Sequence, residues 1–352
     1  MQRIIAMVVF GQPAADFRAY HVLMAIGEHS TVLVTGGAGF IGSAFVHHIA
    51  SAHPGWTIRV LDALTYCGFR EHLEGLDTRV QFTEGDIACP NTAAAAVAGC
   101  DAVVNFAAES HVDRSIIDSA PFTHTNVDGV QVLLDACRAH AVGRFVQVST
   151  DEVYGDVAGT DRLSLESDAM APVSPYARSK AEGEAIALAA DDLDVVVTRG
   201  SNTYGPRQYP EKVIPLFVTN AIDGGLLPVY GDGTAMRDYM HVDDHAAGIH
   251  LVLHEGERGA VYNLGAREQI NGNTVAAAIV EGVGSGEVRF VPDRPEHDMR
   301  YAVDPSAAEA LGWARRWSFA QGLRDTIEWY RANAQWWRAV KASSSFRHFD
   351  WG

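Results

Sequence analysis

Residues 32–42 read VLVTGGAGFIG, an apolar β-branched run followed at once by four closely spaced glycines. The glycines are Gly36, Gly37, Gly39 and Gly42, and the apolar pattern after them has helical spacing. Glycines at such positions permit a tight turn and let a pyrophosphate approach the backbone at the helix N-terminus. The stretch therefore predicts the first strand, turn and helix of a dinucleotide-binding α/β fold.

Beyond this stretch, short β-branched runs alternate with longer alanine-rich helical patterns. This alternation predicts a doubly wound, Rossmann-type parallel sheet with helices on both faces. Helices are expected near Ile41–Ala50, Thr92–Val97, Val127–His140 and Pro175–Ala190. The predicted strands are Thr31–Thr35, Thr57–Leu61, Val80–Thr83, Ala102–Phe106, Phe145–Ser149 and Val195–Arg199.

The pattern changes after Arg199, where prolines and the turn 231–233 interrupt it. We expect a dinucleotide-binding domain over 31–200 and a smaller, C-terminal substrate-binding lobe over most of 201–340. Segments around 237–265 are expected to return to the first domain. Residues 1–30 are predicted to be an extension of unknown role and not a signal peptide, because the apolar run Ile4–Phe10 has no clear cleavage site after it.

The overall composition favours a small-molecule partner. The 352-residue chain carries a formal charge of -17, which gives no basic surface for nucleic acid or an anionic membrane. No apolar run reaches the length of a membrane span. The four cysteines show no zinc-like spacing, so we expect a reducing, cytoplasmic setting and no metal site; they are Cys67, Cys89, Cys100 and Cys137.

An acidic residue at the end of the second predicted strand indicates which dinucleotide is bound. Asp62 has the spacing from the glycines expected of a carboxylate that accepts hydrogen bonds from the adenosine ribose. It would repel a 2′-phosphate, and no arginine follows it directly, so NAD is favoured over NADP. Asp86 and the pair Ala107 and Ala108 follow the third and fourth strands, at the edge where open α/β sheets bind ligands.

Tyr176 and Lys180 are four residues apart, which places them on one face of a helix beginning after Pro175. A nearby ammonium should lower the pKa of the phenol and make Tyr176 usable as a base. The chain has only three lysines, at 180, 212 and 341, so a lysine at this position indicates a need for its compact ammonium.

Two adjacent carboxylates end the fifth predicted strand, in the stretch VSTDEVYG at 148–155. Burial of the carboxylates of Asp151 and Glu152 costs free energy, so their presence there indicates that the function requires both acids. A carboxylate pair with separated pKa values can supply one general acid and one general base.

Together these motifs resemble the extended short-chain dehydrogenase/reductase superfamily, and most closely its dTDP-glucose 4,6-dehydratases. The similarity extends from about Thr31 to Lys341. It also includes the stretches 64–66, 106–115, 125–126, 201–202, 204–206, 210–212, 237–238, 293–295 and 297–298.

The resemblance implies a specific division of roles. Tyr176, helped by Thr150 and Lys180, would take the proton of the sugar 4-hydroxyl while NAD accepts the C4 hydride. Glu152 would then remove the C5 proton and Asp151 would protonate the departing 6-hydroxyl, after which the hydride returns to C6.

Binding residues are also implied by the resemblance, together with a homodimer. The cofactor set comprises Gly36, Gly39, Phe40, Ile41, Gly42, Asp62, Ala63, Leu64, Thr65, Asp86, Ile87, Phe106, Ala107, Ala108, Thr125, Tyr176, Lys180 and Thr203. For a nucleotide sugar such as dTDP-glucose, the set comprises Ser110, Thr150, Asn202, Lys212, Val213, Pro228, Val229, Tyr230, Arg237, Asn271, Asp293, Arg294, Pro295 and His297, in which Arg237 and Arg294 would bind the diphosphate.

The chain departs from the family pattern at Thr203 and Phe69, where asparagines are usual, and at Glu296, where glycine is usual. The segment between Lys180 and Val195 is also about one helical turn shorter than usual. A UDP-sugar 4,6-dehydratase, an epimerase or decarboxylase on the same scaffold, and a non-catalytic NAD-binding regulator remain alternatives. The Asp151 and Glu152 pair argues against the epimerases and decarboxylases, and the intact Tyr176 and Lys180 argue against the regulator.

Overall fold

A computed structural model describes residues 26–293 and 298–347 of the chain. The predicted N-terminal extension lies outside the described residues over its first 25 positions. Among the described residues, no helix combines the length and hydrophobicity needed to cross a membrane.

The centre of the fold is a seven-stranded sheet in which every strand pairs in parallel with its neighbours. The strand order is β10-β6-β5-β4-β1-β2-β3, with the order reversing beside β1 as in other doubly wound sheets. All six predicted strands are confirmed, whereas the seventh strand, β10, was not predicted. The strands are β1 (Thr31–Thr35), β2 (Thr57–Asp62), β3 (Val80–Glu84), β4 (Ala102–Asn105), β5 (Arg144–Thr150), β6 (Val195–Gly200) and β10 (Val261–Leu264).

The helices that cover this sheet follow the predicted pattern, and each face has its own apolar core. Val32 and Val34 on β1 contribute to the core beneath α1 and α8, whereas Leu33 between them packs with α2, α5 and α6. This alternation follows from the two-residue period of a strand. These helices are α1 (Phe40–Ala52), α2 (Pro90–Val97), α5 (Gly129–Ala139), α6 (Pro175–Leu188) and α8 (Val242–Glu255), with α3 (Val112–Ile117), α4 (Ala120–Thr123) and the π-helical segment His124–Asp128 between β4 and α5.

A second, smaller group of elements is built mostly from residues after 200. It contains a three-stranded sheet of order β11-β9-β7 and a parallel pair of β12 with β8. A third apolar core includes the buried side chains of Phe217, Phe319 and Trp337. The elements are β7 (Asn202–Tyr204), α7 (Val213–Ile222), β8 (Leu226–Tyr230), β9 (Met236–His241), β11 (Gln269–Asn271), α9 (Gly272–Val283), β12 (Glu287–Val291), α10 (Ser306–Ala310), α11 (Phe319–Ala332) and α12 (Ala334–Ala342).

A buried ion pair joins α6 to β6. Glu184 is fully buried and Arg199 is almost so, and the Arg199 Nε donates to Glu184 Oε1 at 3.0 Å. The same guanidinium donates to the Tyr154 hydroxyl at 2.6 Å. Both charges are therefore satisfied by internal partners, and α6 is held against the sheet end that carries the paired carboxylates.

Replacement of Glu184 by glutamine should destabilise the fold strongly, because it leaves the Arg199 charge buried without its counter-ion. The expected loss is about 3–5 kcal/mol of unfolding free energy. Denaturant titration followed by circular dichroism would measure it. Glu182→Gln, on the exposed side of the same helix, is the matched control and should change stability by no more than about 0.5 kcal/mol. Equal effects of the two substitutions would contradict a special contribution from the buried pair.

Candidate active site

Two glycines of the turn between β1 and α1, Gly36 and Gly42, have no room for a side chain. Gly36 has a φ of +65°, and a Cβ there would lie 2.6 Å from the backbone nitrogen of Ala107. A Cβ on Gly42 would lie 2.2 Å from the Gly36 carbonyl oxygen. The turn is thus closely packed on the end of β4. The first turn of α1 contains no acidic residue and its N-cap, Gly39, makes no side-chain capping bond, so this N-terminus suits a pyrophosphate.

Asp62 ends β2 beside this turn. Its carboxylate accepts hydrogen bonds from the backbone nitrogens of Ala38 at 2.9 Å and Leu64 at 2.8 Å. Burial raises the pKa of Asp62, and these backbone donors act in the opposite direction. The carboxylate is therefore fixed by the backbone at the edge of the cavity, where a ribose hydroxyl would meet it.

The cavity at this edge has a volume of about 420 Å³ and extends from the glycine turn to the ends of β5 and β6. All but one of the predicted cofactor residues line it. The exception is Leu64, whose backbone holds Asp62. The lining set is Gly36, Gly39, Phe40, Ile41, Gly42, Asp62, Ala63, Thr65, Asp86, Ile87, Phe106, Ala107, Ala108, Thr125, Tyr176, Lys180 and Thr203.

Tyr176 and Lys180 are both buried on the cavity side of α6. The helix begins at Pro175 because the side chain of Ser174 accepts from the backbone nitrogen of Ala177 at 3.0 Å. The Lys180 ammonium donates to the carbonyl oxygen of Val148 on β5 at 2.7 Å. Burial lowers the pKa of Lys180 to about 8, although Glu184 favours the charged form.

The direction of the Tyr176 pKa shift is opposite to the prediction. Burial raises this pKa first, and the negative charge of Glu152 raises it further, whereas a hydrogen bond with Thr150 lowers it. The prediction considered only the spacing of Tyr176 and Lys180 and omitted the cost of burying a phenolate. Without ligands Tyr176 is therefore a neutral phenol.

Asp151 and Glu152 occupy the 3₁₀ turn Asp151–Tyr154 directly after β5. Asp151 is 2% exposed, and its Oδ1 accepts from the Thr150 hydroxyl at 3.3 Å. Its Oδ2 is buried and has no hydrogen-bond partner among the described residues. Burial raises the pKa of Asp151 well above its usual range, and the carboxylates of Glu152 and Asp238 add to this effect. Asp151 is therefore held in its protonated form more strongly than an ordinary aspartate.

A second cavity, of about 480 Å³, adjoins the first. Glu152, Asn202, Thr203 and Lys212 line both cavities, so Glu152 lies where the two meet, and Asp151 lines the first cavity beside it. Lys212 donates to the carbonyl oxygen of Ser110 at 2.7 Å.

The structure brings most of the predicted substrate residues to these two cavities. Ser110 and Thr150 line the first cavity, and Val213, Pro228, Val229, Tyr230 and Arg237 line the second.

Five predicted substrate positions differ in placement or lie outside the described residues. Asn271 lines neither cavity and instead caps α9, where its side chain accepts from the Thr274 nitrogen at 2.8 Å. Asp293 lies beside Gly231 and off both cavity walls. Arg294, Pro295 and His297 lie outside the described residues, as does Glu296.

Arg237 is buried at the wall of the second cavity and is held there on several sides. Its guanidinium donates to the carbonyl oxygens of Met236 and Asp298, each at 2.8 Å. It also lies over the ring of Tyr301 at 4.6 Å from the centroid. These contacts fix a planar cation without neutralising it, which suits recognition of a diphosphate.

Several cavity residues were missed by sequence reasoning. Tyr301 lines the second cavity, Glu211 lines both, and His245 lines the first. Glu211 is buried and accepts from the Arg114 guanidinium at 2.8 Å. Only Glu211 had a sequence signal, since it lies in the stretch 210–212 that carries the family resemblance.

The side chains at the two departures, Thr203 and Phe69, both make contacts within the protein. The Thr203 hydroxyl donates to the Ser201 carbonyl oxygen at 3.1 Å and lies 2.8 Å from His245 Nδ1. The Phe69 ring packs with Tyr209 and Trp336. An apolar contact thus stands where the family pattern has a polar side chain.

Comparisons with known proteins agree with this geometry. The sequence pattern of the NAD dependent epimerase/dehydratase family matches residues 32–265. The dTDP-glucose 4,6-dehydratase of Streptomyces niveus is 48% identical over 323 residues, covering 88% of this chain and 96% of that protein. The dTDP-glucose 4,6-dehydratase of Streptomyces antibioticus is 47% identical over 321 residues, covering 88% and 95%.

A solved structure is also similar over nearly its whole length. DesIV, the dTDP-glucose 4,6-dehydratase from Streptomyces venezuelae, was crystallised with NAD bound, and it superimposes with a TM-score of 0.86 at 46% identity. The match covers 88% of this chain and all of DesIV. The chain belongs to the NAD dependent epimerase/dehydratase family.

Proposed function

We propose that the chain is a dTDP-glucose 4,6-dehydratase, a hydro-lyase that converts dTDP-glucose to dTDP-4-keto-6-deoxyglucose and water in deoxysugar biosynthesis. The observation that carries the proposal is the adjacent pair Asp151 and Glu152 on the wall of the first cavity with Tyr176 and Lys180, where Glu152 also lines the second cavity. The proposal is also supported by similar proteins that are named dTDP-glucose 4,6-dehydratase.

The first cavity fits NAD. The glycine turn excludes side chains where a pyrophosphate would lie, and Asp62 presents a fixed carboxylate where the adenosine ribose would lie. When bound there, NAD would supply both the hydride acceptor for C4 and the hydride for C6, so the reaction would consume no external reductant.

Tyr176 is the residue that takes the proton from the sugar 4-hydroxyl. Its burial makes it a poor base without ligands, so the positive charges around it are important. Lys180 supplies one such charge, which its contact with Val148 holds on the cavity side of α6. Thr150 bonds to the phenol and relays the proton.

Asp151 and Glu152 divide the work of eliminating water. Oxidation at C4 acidifies the C5 proton, which Glu152 removes. Asp151 then donates its proton to the 6-hydroxyl as it departs. The burial that keeps Asp151 protonated, and its unpartnered Oδ2, suit it to donate rather than accept a proton.

The second cavity receives the nucleotide part of the substrate. Arg237 and Lys212 supply cations for the diphosphate, and Pro228, Val229 and Tyr230 form the wall against which the base packs. This gives the acidic chain a local positive site.

We also propose that the chain is a cytoplasmic homodimer. The four described cysteines are free thiols, which fits a reducing compartment.

The direct test of the function is turnover of substrate deuterated at C4, with dTDP-glucose and UDP-glucose supplied separately. We expect 4-keto-6-deoxy product from dTDP-glucose, with the deuterium at C6 and no net formation of NADH. Preferential turnover of UDP-glucose would assign the other nucleotide. Deuterium lost to solvent, or accumulated on free cofactor, would exclude the dehydratase reaction.

Tyr176→Phe should lower the rate of C4 oxidation by roughly 10²-fold or more, since the ring is kept and only the proton-accepting oxygen is lost. The unfolding midpoint and the affinity for NAD should change little. Single-turnover measurement of reduced nicotinamide would determine the rate. A rate close to that of the unsubstituted protein would rule out Tyr176 as the base.

Asp151→Asn should stall the reaction after C4 oxidation. The amide keeps the size and the hydrogen bond to Thr150 but cannot transfer a proton, whereas Tyr176 and Lys180 remain in place. On addition of dTDP-glucose, the absorbance of reduced nicotinamide should rise while the 4-keto-6-deoxy product forms slowly. Glu152→Gln should stall at a neighbouring step and should in addition lose exchange of the C5 proton with solvent.

The folding stability of the Asp151→Asn protein distinguishes a catalytic role of Asp151 from a structural one. The folded-state pKa is raised above its unfolded value, so burial of Asp151 opposes folding increasingly as pH rises above the unfolded pKa. The amide removes this cost. The Asp151→Asn protein should therefore be at least as stable as the unsubstituted protein at neutral pH. Normal folding with dehydration at an unchanged rate would show that Asp151 is not the elimination acid.

A further inference from the structure

Four half-buried histidines form a cluster that bridges α1 and α8. His48 lies on α1, His53 follows its end, and His250 and His254 are one turn apart on α8. None of them lines either cavity. The proposed reaction leaves this cluster, which we call the His48/53/250/254 cluster, without a role.

The rings of the cluster converge on His250. Its Nε2 lies 2.7 Å from His53 Nε2, and its Nδ1 lies 3.0 Å from His48 Nε2. The ring centroids of His250 and His254 are 5.0 Å apart. One nitrogen from each of His53, His250 and His254 can be chosen so that all three lie within 4.8 Å of one another.

We propose that His53, His250 and His254 form a binding site for one divalent transition-metal ion of the zinc type, with His48 as a positioning residue. Imidazole nitrogens bind Zn²⁺ at about 2.0–2.1 Å, so two ligands on a tetrahedral ion are roughly 3.3 Å apart. The 2.7 Å separation of His53 and His250 nitrogens is within a small side-chain movement of that spacing.

His48 lies where such a site needs an acceptor. A histidine that binds a metal through one nitrogen usually donates the N–H of the other, which fixes the ring. If His250 binds through Nε2, its Nδ1–H points to His48 Nε2 at 3.0 Å. His53 is fixed differently, since its ring stacks on the buried Trp56 at 3.7 Å between centroids with the planes 5° apart.

Hydrogen bonding within the protein does not satisfy the whole cluster. His254 Nε2 is buried and has no hydrogen-bond partner among the described residues. A buried polar nitrogen without a partner is costly, and a metal ion would remove that cost.

Burial, more than the surrounding charges, lowers the pKa values of the four imidazoles. Burial lowers the pKa of His250 to about 3, and the neighbouring histidines add to the effect. The pKa values of His48, His53 and His254 are also lowered, chiefly by burial. Arg316 and Arg144 act in the same direction, whereas Asp243 and Glu255 oppose it.

The ion would join two helices that are distant in sequence. His53 and His250 are 197 residues apart, so no local spacing in the chain predicts the site, and the expectation of no metal site rested on cysteine spacing alone. A link between α1 and α8 would stabilise the folded state in proportion to its occupancy. This inference does not depend on the proposed reaction.

The test measures Zn²⁺ binding to the full-length protein by equilibrium dialysis with elemental analysis, and the melting temperature with and without Zn²⁺. We expect one tightly bound equivalent and a rise in melting temperature of roughly 5 °C at 100-fold excess over the dissociation constant. Co²⁺ in place of Zn²⁺ should give the visible absorption bands of a tetrahedral site with nitrogen ligands. Absence of a tight equivalent in the unsubstituted protein would overturn the proposal.

Matched substitutions identify the ligands. His250→Gln and His254→Gln should each abolish the tight equivalent and the thermal shift, while His140→Gln, at the exposed end of α5, should retain both. Use of two ligand variants keeps the test decisive if one of them folds poorly. His48→Gln should weaken binding by roughly 10- to 100-fold without abolishing it, as expected of a residue that orients a ligand. Retention of tight binding in both ligand variants would place the ion elsewhere.

Discussion

The hydrogen bond from the Lys180 ammonium to the Val148 carbonyl oxygen, 2.7 Å long, is the contact on which the rest of the site depends. It fixes α6 against the C-terminal end of β5, and the buried pair of Glu184 with Arg199 fixes the same helix to β6. Two buried cations thus set the position of Tyr176 relative to Asp151 and Glu152. Because each cation would be costly without its partner, the helix has little freedom to move away from the strand ends.

The same burial that fixes this geometry also determines the proton roles. Removal from water disfavours a charged Asp151, a charged Tyr176 and a charged Lys180 alike. Asp151 responds by keeping its proton, which is the state required of an acid. Tyr176 also keeps its proton, which is the wrong state for a base, so its deprotonation requires the cations that ligands and Lys180 bring to the cavity. The positive charge that a deprotonated Tyr176 needs is therefore supplied in full only when ligands occupy the site.

Sequence reasoning located the fold and much of the cavity lining because both depend on local patterns. The residue composition of runs such as Thr31–Thr35 predicts strands. The carboxyl ends of parallel strands then lie at the same edge of the sheet, whatever the loops between them. It could not predict Tyr301 or His245, which reach the cavities from distant elements without any motif. It also gave the wrong direction for the pKa of Tyr176, because spacing along a helix reports the distance to Lys180 but not the depth of burial.

Helix α8 shows how one element can serve two sites without coupling them. His245 faces the first cavity and contacts Thr203, whereas His250 and His254 lie on the side of the helix that packs with α1. A ligand changes another site only if it binds two states of the protein with different affinity. Val242 and Ile249 on α8 are buried in the core beneath α1, so an ion at the cluster would reinforce a contact that already exists. Its effect should therefore fall on the stability of the fold and leave the position of His245 in the cavity unchanged.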